Sequence, residues 1–166
     1  VAVVLAALLT GPPATDGPAL DPRSSAPGGL AGLLDLASSL GHEVDIATDL
    51  PSDTTTHLLV VRDLLGPQGR EEVTDWVAEG GRLVVTDPTS PLHGLTPSAG
   101  LISDLVGPSG HEPDCSLPAL AEVARVTHGA WNGYEVPDSD AGCFGLTEDT
   151  AWLVARRVGE GEVVAL

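Results

Sequence analysis

The chain contains no lysine and no methionine, and only five aromatic residues: Trp76, Trp131, Trp152, Tyr134 and Phe144. Its seven basic residues are all arginine, set against 24 acidic ones, for a formal net charge of −17. A surface of that sign repels phosphate backbones and disfavours docking on anionic lipid, so nucleic acid is not an expected partner. The acid excess reads as a solvated face that aids solubility rather than as a dedicated cation site. With so few rings, the core has to be built from Leu, Val, Ile and Ala. No apolar run reaches the ~20 residues that span a bilayer. No Gly-x-Ser-x-Gly elbow, Gly-x-Gly-x-x-Gly turn or Walker loop occurs, so neither a serine hydrolase nor a nucleotide has motif support. No cofactor is expected.

What is present suits an ordinary globular fold. At 166 residues the chain is long enough to bury a core without metal or disulfide staples. Residues 1–9, VAVVLAALL, are uninterrupted apolar sequence. They are read as the end of a truncated transmembrane helix, the alternative being a first strand. Residues 10–19 are small, polar and proline-bearing, and read as a linker. Residues 20–166 form a single expected domain, which stops inside a strand pattern at Glu162-Val163-Val164-Ala165-Leu166.

Within that domain, Leu30, Leu33, Leu34, Ala37 and Leu40 recur at helical spacing, with Ser24 or Ser25 available as a cap and Gly41 as the stop. EVDIA (43–47) and HLLVVRD (57–63) read as strands. Residues 68–80 read as the clearest helix, with Val73, Trp76 and Val77 on one stripe. Glu71, Glu72 and Asp75 fall early in it, where the helix dipole favours acids. RLVVTD (82–87) follows as another buried strand. This β-α-β order predicts an α/β fold around a mostly parallel sheet. A short helix is expected within 97–106, and one or two strands within 119–136. Residues 151–157 and 162–166 read as a hairpin.

Functional candidates come from three constellations. Asp63 and Asp87 end adjacent strands, and open parallel sheets bind ligands beyond strand carboxyl ends. With Asp21, Arg23, Ser24 and Ser25 at a helix start, they make a candidate ligand crevice. The competing reading has the aspartates capping helices, with Arg23 paired to one of them. Asp87, Ser90 and His93 are the weak catalytic candidates; a three-residue Ser–His spacing on a loop does not by itself make a dyad. Cys115 and Cys143 are the only cysteines, 28 apart. They read as one disulfide worth on the order of 3–4 kcal/mol, the alternative being two free thiols. His111, Glu112, Asp114 and Cys115 lie close together but lack metal-site spacing, and His42, His57, His93 and His128 are scattered singles. No metal is expected.

Four sequence pieces carry a family resemblance: Leu20-Asp21-Pro22-Arg23-Ser24-Ser25-Ala26-Pro27-Gly28-Gly29 before an amphipathic helix; the Asp49-Leu50 turn; Gly80-Gly81-Arg82-Leu83-Val84-Val85 followed by Asp87-Pro88; and Cys143-Phe144 ahead of the Val158-Gly159-Glu160-Gly161-Glu162-Val163-Val164 hairpin. Together they resemble a bacterial family, common in actinobacteria, called domain of unknown function 4350. The resemblance implies a three-layer sandwich similar to class I glutamine amidotransferase-like and flavodoxin-like domains. It also implies a membrane anchor before the domain and an extracytoplasmic placement. Amidotransferases carry a Cys after a central strand; the corresponding stretch, residues 86–91, has none. The expectation is therefore a non-catalytic domain that binds a small ligand or a cell-envelope protein. The alternatives are a degenerate or unrecognised hydrolase and a cytoplasmic small-ligand-binding domain.

Overall fold

The computed structural model describes residues 19–47, 49–99, 110–115, 117–127 and 132–166. The expected membrane helix at 1–9 and most of the linker lie outside them. Among the described residues, no helix is long and apolar enough to cross a membrane. The chain divides into two compact units, Val1–Asp49 and Leu50–Leu166.

The first unit holds helix α1, Ala31–Ser39. Its N-cap is Leu30, with no side-chain cap, so neither Ser24 nor Ser25 performs that role. Ser24 instead accepts from the Ala26 N–H through Oγ, at 3.2 Å. At the other end Gly41 adopts φ +89. Its N–H bonds Ser38 O, and that of His42 bonds Ala37 O. This paired closure by a left-handed glycine is the stop that the sequence predicts. Residues 43–47 are not a strand: they carry no ladder hydrogen bonding and are exposed.

The second unit contains β1 (His57–Val60), α2 (Pro67–Ala78) and β2 (Arg82–Val85). Next come β3 (Pro97–Ala99), β4 (Gly110–His111), β5 (Val126–Thr127) and β6 (Asn132–Glu135). It closes with β7 (Ala141–Gly145), β8 (Thr150–Val158) and β9 (Gly161–Ala165). Helix α2 starts at Pro67, whose missing N–H costs nothing at a first helical position. Because it starts there, no acid falls in its first turn, and the expected dipole contribution of Glu71, Glu72 and Asp75 is not realised. Val73, Trp76 and Val77 are buried as the stripe predicts, against Leu83, Val85 and Val163.

The expected three-layer sandwich around a mostly parallel sheet is overturned. The fold is mostly sheet, with two α-helices among the described residues. Strand order is β1-β2-β9-β8-β6-β3, with β7 also on β8. Only β1·β2 and β2·β9 are parallel; β9·β8, β8·β6, β8·β7 and β6·β3 are antiparallel. The reason lies in the connections. A parallel pair needs a long crossover, and α2 provides it between β1 and β2. Beyond β2, turns such as Gly159-Glu160 return the chain directly beside itself. The short helix expected in 97–106 is also corrected in part: Pro97–Ala99 is strand β3, and the rest lies outside the described residues.

Strand β8 organises this antiparallel half. Ala151 faces both Tyr134 and Gly145, and Val154 faces both Gly142 and Ala165. One side of β8 is therefore lined by β7, and the other by β6 and then β9.

Candidate functional site

Because β1, β2 and β9 run parallel, their carboxyl ends share one edge. Asp63 and Asp87 follow β1 and β2 there, and the structure joins them. The Asp63 N–H donates to Asp87 Oδ2 at 3.0 Å. The Asp63 side chain is only 1% exposed. Its Oδ1 accepts from the Leu65 N–H at 3.0 Å. Its Oδ2 accepts from Ser90 Oγ at 2.7 Å and Arg70 Nε at 2.9 Å. Asp87 Oδ1 receives the N–H and hydroxyl of Thr89, at 2.9 and 2.7 Å. Burial alone would raise the Asp63 pKa. The bonds from Ser90, Leu65 and Arg70, with the Arg70 charge, outweigh it and hold the carboxyl below its ordinary range. Asp87 is lowered by the Asp63 N–H and the two Thr89 bonds.

Ser90 is buried and begins the tight turn Pro91–His93, accepting from the Leu92 N–H at 3.2 Å. Its hydroxyl hydrogen goes to Asp63, not to His93. His93 is buried too, and both ring nitrogens meet backbone. Nδ1 accepts from the Leu95 N–H at 3.0 Å, which leaves Nε2–H to donate to Pro88 O at 3.3 Å. The ring packs edge-on to Tyr134, with centroids 4.9 Å apart. The Tyr134 hydroxyl donates to Leu166 O at 3.2 Å. Arg156 completes the enclosure, with Nη1 2.7 Å from Gly94 O and 3.2 Å from His93 O. A cavity of ≈ 210 Å³ lies beside this turn, among Val77, Leu83, Leu92, Arg156, Val158 and Val163.

Burial lowers the His93 pKa from 6.5, against opposing pulls from Pro88 O and Asp87. The unfolded chain therefore binds more protons than the folded one below about pH 6.5, and stability falls as pH falls through that value. The carboxylates act in a separate window: depressed in the fold, they withdraw stability only as pH drops below their ordinary 3.8. We expect urea midpoints to decline from pH 6.5 to 5, and His93→Gln to flatten that slope whatever it does to absolute stability. An unchanged slope in the variant would assign the effect elsewhere.

The other predicted ligand residues belong to the first unit. Asp21 Oδ1 accepts from the Arg23 N–H at 2.8 Å, and Asp21 O accepts from the N–H groups of Ser24 and Leu30. Asp21 thus serves the turn before α1 and does not cap that helix, whose N-cap is Leu30. The side chains of Arg23 and Ser25 are exposed. Sequence reasoning joined Asp63 to Asp87 and put Ser90 and His93 nearby. It missed Arg70, Thr89, Tyr134 and Arg156. Thr89, two residues after Asp87, is a readable local turn signal; Arg156 arrives from 62 residues beyond Gly94 and has none.

Cys115 and Cys143 are bonded, with Cα atoms 5.1 Å apart, as the even count anticipates. Among the described residues, no cluster of three or more His, Cys, Asp or Glu could hold a metal ion.

No curated protein and no solved structure matches this chain significantly. Residues 22–166 match the family described as Domain of unknown function (DUF4350), and the chain belongs to that family.

Proposed function

We propose that the chain is a non-catalytic binding domain of a membrane-anchored protein, held on the extracytoplasmic side, where it engages a small ligand or a cell-envelope protein. The observation that carries this reading is the closure of the carboxyl-end network. Asp63, Ser90 and His93 direct their polar atoms at one another, at Arg70 or at backbone. A nucleophile needs a base strong enough to take its proton, and here the hydroxyl faces a carboxylate held below its ordinary range by the bonds from Ser90, Leu65 and Arg70, which makes it a weak base. The network instead makes a rigid base for the loop after β1, where Leu64 is 81% exposed. Rigid elements under an exposed loop suit recognition. The disulfide supports an oxidising compartment.

Two measurements on the full-length protein in its own cells test the proposal. Thiol counting on unreduced protein should find Cys115 and Cys143 oxidised; two free thiols would remove the extracytoplasmic part. A photocrosslinker at position 64 should yield discrete adducts that one at position 160, in the turn at the amino end of β9, does not. Equal adducts at both positions, or a turnover abolished by Asp87→Ala or His93→Ala, would overturn the binding reading.

A further inference from the structure

We propose that the Cys115–Cys143 disulfide is a latch. It holds the segment from β4 to β5 onto the β7–β8 pair, and its reduction by an external dithiol releases that segment while the rest of the sheet stays folded. This holds independently of the compartment and function proposed above.

Among the described residues, the segment has little backbone attachment of its own: strands β4 and β5 are two residues each and pair with one another, apart from the seven-stranded sheet. What joins them to the body is concentrated around the disulfide. Asp114, next to Cys115, accepts from the N–H groups of Phe144 and Gly145, at 2.6 and 3.0 Å. Leu117, Leu120, Val123 and Val126 pack, half-buried, on Cys143, Phe144 and Leu153. Phe144 is held at φ 57, a left-handed conformation that bulky residues avoid. The clamp on its N–H and the adjacent disulfide both maintain that conformation, so breaking one favours loss of the other.

The remaining body has a separate core. Val73, Trp76, Val77, Leu83, Val85 and Val163 share no buried residue with the cluster under the segment. Opening one does not require dismantling the other.

Access selects the reacting sulfur. Cys143 is fully buried, whereas Cys115 is partly exposed. A thiolate of the dithiol attacks Cys115 Sγ, forming a mixed disulfide and expelling Cys143 as a thiolate, which takes up a proton. The second thiol of the reductant then displaces Cys115, which also ends as a thiol. The protein gains two electrons and two protons, and the reductant becomes a disulfide.

The test compares amide exchange by mass spectrometry in the oxidised and phosphine-reduced chain. We expect exchange to rise at least about tenfold across residues 112–127 and 143–145 on reduction. Strands β2 and β9 should stay within about twofold. No change would show an idle bond, and a parallel rise in β2 and β9 would show a global staple; either overturns the latch. Should the reduced chain not stay folded, the rate at which dithiothreitol reduces the native protein still decides. A local latch gives a rate nearly independent of urea below the unfolding transition, whereas a rate rising steeply with urea would mean that reduction requires global unfolding.

Discussion

Gly161→Ala should lower the thermal midpoint by about 10 °C, or prevent folding outright. Gly161 opens β9 and is buried. A Cβ there would run into the carbonyl oxygens of Val77 and Gly81. Both obstacles are backbone, so no rotamer change relieves them. The turn before it is bound to the end of α2: Glu160 N–H donates to Ala78 O at 2.9 Å, and Glu162 N–H to Gly81 O at 3.1 Å. Relief would require β9 to move off α2, opening the contact of Val163 with Val77. Forced overpacking of this kind costs about 3 kcal/mol or more, and each kilocalorie lowers the midpoint of a chain this size by about 2–4 °C. Gly32→Ala is the matched control. Its Cβ would meet nothing within 4 Å, inside helix α1. The same chemical change there should add about 0.5–1 kcal/mol. If the two variants melted alike, the close approach of β9 to α2 would be wrong.

Asp63→Ala should destabilise by about 2–3 kcal/mol, read as a fall in the urea midpoint at constant slope. Its carboxylate is almost wholly buried, and three donors converge on it, from Leu65, Ser90 and Arg70. Removing it strands the buried Ser90 hydroxyl. Arg70 is 35% exposed and can turn to water, so its loss counts for less. Asp63→Asn preserves shape but places donors against donors, and should recover little. The pH dependence is a second readout. The folded carboxyl is more acidic than its ordinary 3.8, so its stabilisation is complete above that value and is withdrawn as pH falls through the folded value. The Ala variant should lose that share of the acid sensitivity. A double-mutant cycle with Ser90→Ala should return a coupling of about 1 kcal/mol or more. Additive effects would mean that the Ser90–Asp63 bond does not link the two loops.

The elements that the sequence announces are those whose causes lie within a few residues. Gly41 and Gly80-Gly81 stop their helices because a left-handed residue closes the last carbonyls locally; Gly80 sits at φ +118. Val73, Trp76 and Val77 follow from helical spacing alone. The juxtaposition of Asp63 and Asp87 follows from two strands joined by one crossover helix. EVDIA misleads because alternation registers a tendency to extend and not the presence of a neighbour. The acids of α2 mislead because the helix begins one residue earlier than its spacing suggests, at Pro67, so that even Glu71 falls just past the first turn, where the helix dipole acts.

By itself, then, the amino-acid order determined an Arg-only acidic chain, the β1–α2–β2 unit with its apolar stripe, two glycine-stopped helices, a closing hairpin and a single possible disulfide. Each rests on composition, short-range periodicity or turn chemistry. Only the tertiary structure decided the polarity of the sheet beyond β2, where hairpins replace crossovers. It also decided which hydroxyl meets which carboxylate, the approach of Gly161 to α2, the left-handed Phe144, and the convergence of Arg156 on the His93 turn. These depend on contacts between segments tens of residues apart, whose energies are settled by competition among all available pairings and not by any one stretch.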